Sequence, residues 1–69
     1  MTDVEHSIRD EARQILARRP KPSDLARRCV EAYNQYYYIT ISSHGDIDGR
    51  YYILKEAYRL AAKLMGLRV

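Results

Sequence analysis

Tryptophan and phenylalanine are absent from this chain, and all seven of its aromatic residues are tyrosine. Aromatic surface therefore always comes with a hydroxyl that seeks a partner or water. Cysteine is nearly absent: Cys29 stands alone, which excludes an internal disulfide. Two well-separated histidines and no Cys-x-x-Cys leave no structural zinc site. No apolar stretch approaches the roughly 18 residues of a membrane span. The first residues are polar and acidic, without the apolar core of a secretory signal, so a reduced, cytoplasmic setting is expected. Three glycines build no phosphate-cradling loop and no nucleophile elbow. No paired carboxylates occupy a pocket-forming context. Cys29 falls on an apolar seam, where a free cysteine packs as a small hydrophobe. Neither an enzyme nor a cofactor is expected.

What is present is a small, charged, helix-forming chain. At 69 residues it makes one domain. A domain of that size buries only about 60 % of the surface its unfolded chain exposes. With disulfides and metal excluded, a helical core or oligomerisation must supply the stability. The net charge of +3 is unevenly placed. Residues 1–19 balance four acids against four arginines. Residues 20–49 carry Lys21, Arg27 and Arg28 against Asp24, Glu31, Asp46 and Asp48. Residues 50–69 carry Arg50, Lys55, Arg59, Lys63 and Arg68 against Glu56 alone, so the basic character lies there. An acidic or nucleic-acid partner is compatible with that asymmetry.

Apolar spacing predicts three helices. The first covers 3–19, with Val4, Ile8, Ala12, Ile15 and Leu16 near one stripe, and Pro20 and Pro22 ending it. The second covers 24–43, with Ser23 as N-cap and Asp24 in the first turn. Leu25, Cys29, Ala32, Tyr36 and Ile39 make one seam of it. Ala26, Val30, Tyr33, Tyr37 and Thr40 make a parallel seam one position along. The third covers 46–67, with Asp46 as its cap and Gly45 as the left-handed end of the helix before it. Its stripe is Ile47, Tyr51, Leu54, Tyr58, Ala61 and Met65, widened by Ile53, Ala57, Leu60, Leu64 and Leu67. Gly49 is a weak point in its first turn. The expected fold is all-α: a short N-terminal helix and a long antiparallel hairpin that dimerises into a helical bundle. The competing arrangement is α+β. Residues 36–42 are strong strand formers, and a hairpin over 36–54 would pair them with 51–54.

Residues 32–45 carry no charged side chain at neutral pH and include four tyrosines. Tyr36, Tyr37 and Tyr38 on a helix point in directions roughly 100° apart, so one core cannot cover all three. Tyr33, Tyr36, Tyr37, Tyr38 and Ile41 are therefore the candidate interface for a partner or a second copy. On the last helix, Tyr52, Lys55, Arg59 and Lys63 share one side, and with Arg50 they are candidates for anion or nucleic-acid contact. Residues 22–28 are similar, over a few positions only, to the opening helix of a helix-turn-helix, but the seam continues without the required break. Residues 44–49 alternate His44, Asp46 and Asp48, yet the loop is short and lacks the closing glutamate of an EF-hand.

A small non-enzymatic, protein-binding regulator or adaptor is thus expected, associating with itself and with another protein through tyrosine-rich helix. Nucleic-acid binding by the basic face is the alternative. No membrane partner is expected.

Overall fold

The computed structural model describes residues 3–42, 45–46 and 48–67. They form three helices, α1 (Asp3–Ala17), α2 (Pro22–Ile41) and α3 (Arg50–Leu64). No strand occurs among the described residues, so the α+β alternative is excluded: 36–41 and 51–54 are both helical. His44, Ile47 and the expected helix end at residue 43 lie outside the described residues.

Helix boundaries follow local chemistry more closely than seam spacing does. α1 stops at Ala17 rather than residue 19. The amides of Arg18 and Arg19 donate to the Ile15 and Leu16 carbonyls, at 3.2 and 3.0 Å, tightening the last turn. Arg19, facing the restrictions of a following proline, leaves the helix with φ 52°. α2 starts earlier than expected, and Ser23 is not its cap. Pro22 takes the first helical position, where a missing N–H costs nothing, and holds Lys21 extended as the N-cap.

The far end of α2 is closed by hydroxyls. Thr40 Oγ1 donates to the Tyr37 carbonyl at 2.8 Å, and Ser42 Oγ donates to that of Ile39 at 2.7 Å. Such side-chain bonds compete with the helical ladder. Ser42 is accordingly extended. Gly45 is left-handed, φ 65°, but stands in the loop beyond it instead of ending the helix.

α3 begins at Arg50, not at residue 46, with left-handed Gly49 as its N-cap. Asp46 still caps it, from a distance. Its Oδ1 accepts from the Tyr51 amide at 3.3 Å and its Oδ2 from the Tyr52 amide at 3.0 Å. The first turn of α3 holds no acid, so Asp46 supplies the negative charge that the N-terminal dipole favours. The helix ends at Leu64, three residues before the expected boundary, in a Schellman turn. The Leu67 amide donates to the Ala62 carbonyl and the Gly66 amide to that of Lys63, both at 2.9 Å. Gly66 there has φ 81°, a left-handed conformation that a Cβ would strain.

α3 lies between its neighbours. It packs on α1 along one side and on α2 along the other, while α1 and α2 do not pack on one another. The buried core is Ala12 and Ile15 from α1, Leu25 from α2, and Ala57, Ala61 and Ala62 from α3. Ile8, Leu16, Cys29, Tyr58, Leu60 and Leu67 close around it, half-buried. α3 thus presents alanines to both neighbours: among the described residues the expected stripe supplies Ala61 to the fully buried set and its widening supplies Ala57, while Ala62 belongs to neither. The expected stripe member Met65 is exposed.

Leu25 is the largest fully buried side chain. Leu25→Ala is expected to destabilise the fold by about 2–5 kcal/mol, a large part of its stability. Asp46→Ala is expected to cost less, about 0.5–2 kcal/mol, as loss of a cap does. Urea unfolding followed by circular dichroism measures both. A Leu25→Ala midpoint equal to that of the wild type would overturn this assignment of the core.

Candidate functional site: the groove between α2 and α3

The two seams of α2 have different fates. Leu25, Cys29 and Ala32 face α3, with Tyr36 and Ile39 half-buried beyond them. The parallel seam faces solvent. Val30, Tyr33 and Tyr37 on it, and Tyr38 and Ile41 beside it, are each between 55 % and 68 % exposed. Ala26 extends the same line toward the helix start and is exposed too. At 3.6 residues per turn, Ala26, Val30, Tyr33, Tyr37 and Ile41 fall within one side of the helix. They grade from small at the N-terminal end to large at the other. Tyr37 and Tyr38 stand edge to face, their ring centroids 6.1 Å apart.

Of the five candidate interface residues, four are thus open: Tyr33, Tyr37, Tyr38 and Ile41. Tyr36 is the exception. Its ring meets that of Tyr52 on α3 with centroids 5.9 Å apart. Lys55 Nζ lies over both rings, 4.5 Å from Tyr36 and 5.0 Å from Tyr52. It also pairs with Glu56 at 3.3 Å. This aromatic clamp holds α2 and α3 together near the loop that joins them, each cation–π contact contributing about 0.5–1 kcal/mol.

The clamp reshapes the basic set. Tyr52, Lys55, Arg59 and Lys63 do share one side of α3, but Lys55 is already committed. Arg50 is turned away from them: it lines a separate hollow with Ser7, Asp10, Glu11 and Asp48. Arg27 and Arg28 on α2 are occupied as well, in exposed ion pairs with Asp24 and Glu31 at 3.5 to 3.9 Å. Arg59 and Lys63 remain exposed and make no ion pair among the described residues. A helix-turn-helix is absent, since α2 runs unbroken from Pro22 to Ile41.

Between these faces lies a groove of about 450 Å³, lined by Ala26, Cys29, Val30 and Tyr33 from α2 and by Lys55, Glu56 and Arg59 from α3. The outer seam and the basic side, two separate sets in the sequence, are its opposing walls. The floor is apolar. The α3 rim carries one ion pair and one uncommitted guanidinium, Arg59.

Cys29 sits at the floor and donates from Sγ to the Tyr58 carbonyl at 3.2 Å. Burial pushes its thiol pKa up, which disfavours the thiolate needed for nucleophilic chemistry. No group of three or more His, Cys, Asp or Glu is placed to hold a metal among the described residues. No helix there is long and apolar enough to cross a membrane. Compared with protein-family models, with curated proteins and with solved structures, the chain has no significant match.

The raised thiol pKa has a direct readout. At pH 8, iodoacetamide is expected to alkylate Cys29 more slowly than an unstructured cysteine peptide. Its rate should still be climbing at the pH where the peptide's has levelled off. Equal rate profiles would show that the thiol is not held at the groove floor.

Proposed function

We propose that this protein is a small binding module, a regulator or adaptor that acts by docking helical surface against other proteins, itself included. The observation that carries this reading is the outer seam of α2. A solvated helix face normally carries charge, but from Val30 to Ile41 this one offers valine, tyrosine and isoleucine beside an apolar groove. Tyrosine suits such a surface. Its ring supplies contact area with few rotatable bonds, and its hydroxyl tolerates water when the partner leaves. The groove holds a pinned lysine and a thiol whose pKa burial pushes up, which fits recognition better than catalysis.

Nucleic-acid binding is the second reading, supported by the exposure of Arg59 and Lys63 one turn apart on α3. It is the weaker one, because Lys55, Arg27 and Arg28 are engaged within the protein and Arg50 lies elsewhere. Phosphate contacts would give an affinity that falls steeply with salt. No binding to mixed single- or double-stranded oligonucleotides at low salt would remove it.

The double variant Tyr37→Glu, Tyr38→Glu tests the first reading. Both side chains are exposed, so helicity and unfolding midpoint should stay near those of the wild type. Light scattering after size exclusion should show the wild type above monomer mass and the variant at monomer mass. A wild type that stays monomeric at high concentration, with the same retention as the variant, would count against self-association through this face.

A further inference from the structure

We propose that the groove is filled by α2 of a second copy of this chain, running antiparallel about a two-fold axis between Tyr33 and Asn34. This rests on the reading of the outer seam as a self-association surface and adds its occupant, direction and register.

The first argument is shape. The exposed seam is graded, with Ala26 and Val30 in its N-terminal half and Tyr37 and Ile41 in its C-terminal half. An antiparallel two-fold sets Ala26 opposite the second copy's Ile41, and Val30 opposite its Tyr37. Each small residue meets a large one, and the deep part of the groove receives the bulky end. A parallel pair would place alanine on alanine and tyrosine on tyrosine, leaving a void at one end and a collision at the other. The seam is thus complementary to itself in one direction only, as an isologous contact requires.

Charge gives the same direction. The last turn of α2 has no basic residue to offset its negative dipole end. In the antiparallel pair that end lies over the start of the other α2, beside the groove rim where Arg59 has no ion-pair partner. A guanidinium there can donate to the final carbonyls of the incoming helix. The parallel pair would instead bring the two Arg59 side chains toward each other.

The three tyrosines supply about half of the area a stable contact needs. Tyr33, Tyr37 and Tyr38, each more than half exposed, offer roughly 300–450 Å² together, given ~150–250 Å² for a buried tyrosine. A standard-sized interface takes about 800 Å² per partner, and Val30, Ile41 and the groove walls add to the tyrosine share.

Cross-linking through introduced cysteines decides the geometry. In a Cys29→Ala background, Ala26→Cys and Ile41→Cys are made singly and together, at exposed positions. Within one copy the two sites are about 22 Å apart along the helix, too far for a disulfide. Under mild oxidation the double variant should run as a covalent dimer without reductant. Each single variant should stay at monomer mass, and an equimolar mixture of the two singles should cross-link. Val30→Cys with Tyr37→Cys gives a second pair with the same expectation. Single variants that cross-link as readily as the double would establish the parallel pair and overturn the proposal, leaving self-association intact. Absence of any cross-link in a sample that light scattering shows to be dimeric would also overturn it and place the contact elsewhere. A monomer at every concentration would remove both the proposal and the self-association it rests on.

Discussion

The close approach of three alanines governs this molecule. Ala57, Ala61 and Ala62 are fully buried, and their small side chains let α3 lie against α1 on one side and α2 on the other. Each alanine removes little apolar area from water, so the stabilisation per contact is modest. Closeness supplies part of what area does not, through many weak dispersion contacts at near-optimal distance. Ala12 and two larger side chains, Ile15 and Leu25, complete the buried core cluster. A central helix with small residues on both sides makes a thin core, and a thin core cannot cover both seams of α2.

The uncovered seam follows from that economy of size. α2 uses its inner seam against α3, and nothing within the fold remains to meet the outer one. Beside the loop that joins α2 to α3, the Tyr36–Tyr52–Lys55 clamp replaces the alanine packing that the rest of α3 uses. It joins the helices by stacking and charge where the apolar core has run out. The cost is a lysine withdrawn from the surface, which leaves Arg59 as the uncommitted cation of the groove.

The helical class, the three segments and the existence of two seams on α2 were legible in the spacing of apolar residues. The strand propensity of residues 36–41 lost to that spacing, and on the helix Tyr36 and Ile39 are the partly buried members of the segment. Which seam turns inward was not legible. Both contain apolar residues at the same intervals, and the choice depends on the alanines of a helix more than twenty positions away. The boundaries were missed for local reasons. Proline at a first helical position outcompeted Ser23 as the start signal, and hydroxyl-to-carbonyl bonds from Thr40 and Ser42 closed α2. Asp46 was readable as a cap, but not its reach to amides five and six positions along, those of Tyr51 and Tyr52. Gly66 followed by Leu67 carried a readable stop for α3 that apolar periodicity alone overrides. For the candidate site, the tyrosines and cations were found as separate sets. Their meeting in one groove, and the capture of Lys55, depend on the antiparallel pairing of two helices and have no trace in local pattern.

The spatial order of the helices differs from their order in the chain. α3 is central in space, yet it is the last of the three to be synthesised. Until its alanines emerge from the ribosome, α1 and α2 lack the helix that each packs on along its length. Isolated helices of 15 and 20 residues are marginal in water. Both seams of α2 therefore stay bare along the nascent chain until α3 arrives to cover one of them.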